Sequence, residues 1–177
     1  MASNSSHNTR RSIRLKHYDY TNPNWYYVTI CVDDRKQWLG KVTNSKVLLS
    51  RIGDIAKEYW ENIPYHFKQI ELDYFVIMPN HIHGIIIINE CRDVQSNIPA
   101  NKNYFSKISP PKGHLGVIVR TFKAAVKKWC NENGYVKFKW QRNYYEHIIR
   151  NEEDLYHIRQ YIELNPLRWE LDDYFTM

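Results

Sequence analysis

Apolar and polar positions recur along this chain with two periods, and each change of period marks an element. Residues 25–32 (WYYVTICV) are aromatic and β-branched and read as a strand. Residues 33–36 read as a turn, and 42–49 as a second strand or an edge hairpin. Ile52, Ile55, Ala56, Tyr59 and Trp60 then fall at helical spacing, which predicts a helix over 51–62 with Ser50 as its cap and Pro64 as its stop. Residues 70–78 and 81–88 read as strands joined by a Pro79-Asn80 turn. The unbroken apolar run at the end of the second implies burial on both faces.

A second long helix is predicted over 115–133, with Gly134 just past its end. Val117, Phe122, Ala125, Val126 and Trp129 can face a core, and Arg120, Lys123, Lys127 and Lys128 can face outward. Residues 136–140 and 144–149 read as extended, together one bent strand. The last helix starts after Asn151, and Glu152, Glu153 and Asp154 in its first turn suit the helix dipole. It stops near Asn165, because Pro166 disfavours helical geometry in the residue before it. Residues 1–9 read as a disordered tail, 10–177 as one domain, and 90–113, rich in Asn, Ser, Pro and Lys, as a mobile loop within it.

Charge and cysteine usage narrow the partners. A formal charge of +6 and a pI near 9.1 favour polyanions, although a solvated surface would look the same. Cys31, Cys91 and Cys130 are odd in number and lack CxxC spacing, which suits a reducing cytoplasm. The polar, basic N-terminus carries no secretory h-region, and the apolar run at 85–88 is far too short to span a bilayer. No GxxxxGK[ST] or GxGxxG occurs, so no nucleotide cofactor is expected.

The chemistry concentrates in His81-Ile82-His83. On a strand, alternate side chains share a face, so both imidazoles project together and can hold a divalent metal. On the last helix, Tyr161 and Asn165 are one turn apart and share a face. Leu155, Ile158 and Ile162 form a neighbouring apolar stripe that seats the helix on the sheet, with Tyr161 half exposed at its edge. Such a helix can bring the Asn165 amide oxygen to the metal as a third ligand. It also sets the Tyr161 hydroxyl beside whatever the metal binds. A phenol with an ordinary pKa of about 10 is a poor nucleophile, but a neighbouring cation eases its ionisation. Attack on phosphorus would give a covalent phosphotyrosine. Each part alone is common in proteins, whereas the combination is specific.

Further polar and aromatic residues are candidates for DNA contact. Arg10, Arg11, Arg14 and Lys16 suit phosphates or a solvated tail. Arg120, Lys123 and Lys127 lie on one helix face, which can grip a DNA backbone or simply be solvated. Trp140, Gln141 and Arg142 combine stacking and cationic groups, or else belong to a packed strand. His147 is a candidate partner of the site or a proton carrier.

RRSIRLKHYDY, MPNHIHG, WQRNYYEHIIRNEEDL and YIELNP, spread from Arg10 to about residue 172, together resemble the REP-associated tyrosine transposases, single-tyrosine members of the HUH endonuclease group. The resemblance implies an α+β domain with a central, mostly antiparallel sheet and flanking helices, ferredoxin- or RRM-like in form. It implies Tyr161 as nucleophile, and His81, His83 and Asn165 as ligands of Mg²⁺ or Mn²⁺, with Asn165 standing where related transposases carry Gln. The implied activity is cleavage of single-stranded DNA beside a REP-like hairpin, leaving a 5′-phosphotyrosine and a free 3′-hydroxyl. Such a protein acts as a monomer or a homodimer. The alternative is a domesticated, non-catalytic hairpin-binding regulator. A small-substrate metallohydrolase is a third reading, without a further carboxylate-rich motif to support it.

Overall fold

Strand alternation organises the computed structural model, which describes residues 18–20, 22–90 and 114–171. In chain order the elements are β1 (Asn24–Cys31), a hairpin of β2 (Gly40–Thr43) and β3 (Lys46–Leu49), α1 (Arg51–Glu61), the short α2 (Ile63–His66), β4 (Ile70–Ile77), β5 (His81–Ile88), α3 (Leu115–Glu132), β6 (Tyr145–Ile149), α4 (Glu152–Leu164) and a closing 3-10 segment (Asn165–Leu171). The expected tail at 1–9, the basic cluster Arg10, Arg11, Arg14 and Lys16, and nearly all of the 90–113 loop lie outside the described residues.

The main sheet has the order β4-β5-β1-β6 with every neighbouring pair antiparallel. The fold is therefore α+β, as the sequence suggested. β1 leads through α1 to β4 with β5 lying between them, and β5 leads through α3 to β6 with β1 between. These are two interlocked split β-α-β units, which set α1 and α3 against each other on one face. The opposite face receives α4. No helix among the described residues is long and apolar enough to cross a membrane.

Local chemistry accounts for most of the boundaries. Ser50 accepts a hydrogen bond from the Gly53 N–H (3.2 Å) and opens α1. Asn44 and Ser45 take φ of 51° and 58°, the left-handed pair that a two-residue hairpin demands, so residues 40–49 are a hairpin rather than one strand. Gly134, at φ 85°, follows α3 in the left-handed conformation.

Three expectations need correction. Pro64 does not terminate α1; it stands in the first turn of α2, where its missing N–H costs nothing. The core stripe of α3 is Leu115, Ile118, Val119, Phe122, Val126 and Cys130, with Trp129 packed against its edge, which leaves Val117 and Ala125 half-buried beside it. The bent strand does not form over 136–144, where Trp140 makes one isolated bridge with Val32. Instead, the Lys127 ammonium binds the Val136 and Phe138 carbonyls (3.0 and 2.6 Å), and Lys123 binds those of Gln141 and Asn143 (2.6 and 3.2 Å). Carbonyls served by lysines need no strand partner.

Candidate active site

In β5, His81, His83, Ile85 and Ile87 point to the α4 face, while Ile82, Gly84, Ile86 and Ile88 point to α1 and α3. Register brings Thr29 beside His83 and Cys31 beside His81, so Tyr27 and Thr29 of β1 share the imidazole face. The two histidine rings lie 4.3 Å apart between centroids, and both side chains are fully buried.

Each ring is held through Nδ1. The His81 Nδ1 lies 2.8 Å from the Asn80 Oδ1, and the Asn80 Nδ2 donates to the Arg35 carbonyl at 2.9 Å. The His83 Nδ1 lies 2.7 Å from the Tyr27 hydroxyl and 2.9 Å from the Thr29 hydroxyl. Thr29 also donates to the Tyr27 oxygen at 3.2 Å. With Nδ1 so engaged, Nε2 is the atom that each ring presents to the site. Both Nε2 atoms, and the Oδ1 of Asn165, are buried and enter no hydrogen bond. Burial first, and the neighbouring His81 second, push the His83 pKa well below its ordinary 6.5, which keeps the ring neutral.

The last helix supplies the rest. Leu155 and Ile162 are buried against Tyr27, Ile85, Ile87 and Ile149, with Ile158 packed beside them. Two polar clamps flank this stripe. Arg159 Nε donates to the Asp73 carboxylate of β4 at 2.7 Å, and its guanidinium lies over the Trp25 and Tyr74 rings. His147 Nε2 lies 2.8 Å from the Asp154 carboxylate in the first turn of α4. Burial alone would raise the Asp154 carboxyl, but hydrogen bonds from His147 and the Arg150 N–H outweigh it and hold it below the usual range.

So seated, α4 lays the Tyr161 ring across His83, 5.1 Å between centroids at 69°, and 6.4 Å from Tyr27. Tyr161 is 41% exposed. Asn165, one turn further, is buried at the end of the helix. The 3-10 segment that it opens carries Trp169 onto His81, 5.9 Å between rings. In the chain, Asn165 thus stands between one residue that covers each imidazole. No group of three or more His, Cys, Asp or Glu side chains suited to a metal occurs among the described residues. Two imidazoles and one amide oxygen are a donor set that a divalent cation accepts without any of those.

The other candidates divide. Arg120, Gln141 and Arg142 are exposed. Lys123 and Lys127 are engaged with loop carbonyls rather than free to grip a backbone, and burial pushes the Lys123 ammonium down to about 8. Trp140 packs against Phe122 and Phe138 and is not an open stacking platform. His147 is a clamp on α4. The sequence reading passed over Tyr27, Thr29, Trp169 and the Arg159–Asp73 pair. Tyr27 and Thr29 had a signal in the period-2 face of β1, but that signal is meaningless until β1 is known to neighbour β5.

No protein-family model matches the chain. It is 44% identical over 170 residues to a Haemophilus influenzae protein described as uncharacterized, covering 94% of this chain and 93% of that one. A second Haemophilus influenzae protein, named "Putative REP-associated tyrosine transposase", is 28% identical over 152 residues, 85% of this chain and 74% of its own. Among solved structures, a REP-associated tyrosine transposase bound to a REP hairpin shares the fold, with a TM-score of 0.61, 19% identity, and coverage of 88% of this chain and 73% of that one. The chain thus resembles a putative REP-associated tyrosine transposase in sequence and shares the fold of a solved one.

Proposed function

We propose that this chain is a metal-dependent single-strand DNA nicking and joining enzyme that acts beside hairpins, with residues 10–177 forming one catalytic domain in the cytoplasm. The observation that carries the reading is a half-exposed Tyr161 phenol lying against His83 within one chain. A relative solved with a REP hairpin, together with the +6 charge, supports a structured single-stranded DNA substrate.

His81 and His83, through Nε2, and Asn165, through Oδ1, would hold Mg²⁺ or Mn²⁺. Once bound, the cation supplies Lewis-acid polarisation of a phosphate oxygen and eases ionisation of the neighbouring phenol. The chain's own contribution is placement. Neutral imidazoles keep their lone pairs available, and the docked α4 holds the phenol oxygen at the phosphate. Tyr161 loses its proton to solvent and attacks phosphorus. An O–P bond forms, the bond to the 3′ oxygen breaks, and that oxygen takes up a proton. The products are a 5′-phosphotyrosine and a free 3′-hydroxyl, and the retained phosphoester can be transferred to another 3′-hydroxyl.

Incubation with end-labelled hairpin oligonucleotides and Mn²⁺ is expected to give a denaturation-resistant protein–DNA adduct that EDTA prevents. Hairpin binding with no adduct under any divalent metal would favour the non-catalytic regulator instead.

A further inference from the structure

The two imidazoles are held by chemically different partners, and this difference tells where each proton sits. Asn80 Nδ2 faces the Arg35 carbonyl, which can only accept, and this fixes which way the amide points. Its Oδ1, also an acceptor only, therefore faces the His81 Nδ1 at 2.8 Å, and the hydrogen of that contact has to come from the ring. His81 is the Nδ1–H tautomer with a bare Nε2.

His83 is surrounded by hydroxyls, which can donate or accept, so its case needs a further step. Thr29 has one hydroxyl hydrogen, and a donor role towards the Tyr27 oxygen at 3.2 Å uses it. Towards the His83 Nδ1, Thr29 can then only accept. If Nδ1 were bare, the 2.9 Å contact with Thr29 would set one lone pair against another. A hydrogen on Nδ1 serves the 2.7 and 2.9 Å contacts together.

We propose that Tyr27 and Thr29 are positioning residues of the site: their paired hydroxyls hold the His83 proton on Nδ1 and so keep its Nε2 lone pair directed at the metal, as the Asn80 amide does for His81. The Tyr27 ring adds a mechanical role, stacked on His83 with centroids 5.6 Å apart at 23°. The register of β1 against β5 is what sets Thr29 beside His83. The amide can hold its imidazole in one sense only, whereas the hydroxyl pair could in principle be reversed. Metal affinity is therefore most sensitive to substitution on the His83 side.

The inference rests on the metal reading for its consequence, but the tautomers can be measured without metal. In ¹⁵N-histidine NMR of the metal-free full chain, His81 and His83 are expected as Nδ1–H tautomers. In Thr29→Val with Tyr27→Phe, both near-isosteric, the His83 signal is expected to shift towards a mixed population while His81 stays unchanged. Mn²⁺ affinity, followed by EPR, is expected to fall by about 10–100-fold in that double variant, the usual cost of removing a ligand's outer partner. Thr29→Ser, which keeps the hydroxyl, is expected to remain within about twofold of the parent on the same grounds. An Nε2–H tautomer at His83 in the parent would overturn the proposal, as would parental Mn²⁺ affinity in the folded double variant. A parent that shows the Nδ1–H tautomers yet binds no Mn²⁺ would sink the metal reading while upholding the hydroxyl clamp.

Discussion

The two faces of the central sheet are made by the same strands and do different work. Towards α1 and α3, residues Tyr26, Val28, Ile30, Ile82, Ile86 and Ile148 join a continuous apolar core. Towards α4, the apolar cluster is small, and Thr29, His81, His83 and Asn165 are buried close by. Hydrophobic burial, at roughly 1.5–3 kcal/mol for a fully buried large side chain, is thus concentrated on one side. Desolvated polar groups, which each cost energy unless held by hydrogen bonds, sit on the other. Adjacent residues of β5 fall into different categories: His83 belongs to the proposed site and Gly84 to the packing. Strand alternation therefore lets one side be tuned for stability and the other for reactivity.

This separation can be broken by substitution. The largest expected effect is on the α4 face, where Tyr161→Phe should abolish the covalent adduct on denaturing gels. Stability should stay within about 0.5 kcal/mol of the parent, since the ring remains and its edge is exposed. Loss of stability comparable to a core substitution would mean that the faces are not separable. On the other face, a methyl at Gly84 would run into the Trp60 ring and the Phe75 side chain. Gly84→Ala should cost about 1–3 kcal/mol in urea unfolding, while the folded fraction still forms adduct.

A smaller effect is expected at the Arg159–Asp73 clamp, whose side chains are 35% and 16% exposed. Arg159→Ala should cost about 0.5–1 kcal/mol and slow adduct formation a few-fold, because Tyr161 rides on the same helix. The smallest effect concerns pH. The Asp154 carboxyl is held below its ordinary 3.8 in the folded chain, so its contribution is present above that value and lost as pH falls through the folded one. The gap in melting temperature between the parent and Asp154→Asn should narrow as pH falls below about 4.

How far the sequence could be read depended on whether the determinants were local. His81 and His83 lie two apart on one strand, and Tyr161 and Asn165 lie four apart on one helix, so each pair could be placed on a face from spacing alone. Ser50 and Asn151 act as caps through their own neighbours. Of the bent strand expected over 136–140 and 144–149, only the second part formed, because Lys123 and Lys127 of α3 take carbonyls that the first part would have offered to a partner strand. The same engagement removed both lysines from the expected phosphate-gripping row. Trp140 read as a stacking group because its residue type suits one, but Phe122 of α3 and Phe138, two residues before it, pack against its ring.

By itself, the order of residues determined most of the elements, the face that each candidate side chain would take, and the resemblance on which the proposed chemistry rests. Those follow from periods of 2 and 3.6 and from capping, which act over a few residues. Only the tertiary structure decided that β1 lies beside β5, and so that Tyr27 and Thr29 meet His83 across more than fifty residues of chain. It alone brought α4 back over the sheet, through Arg159, Asp154 and the Leu155–Ile162 stripe, to set Tyr161 on His83. Such contacts depend on sheet order and helix docking, which no local period encodes.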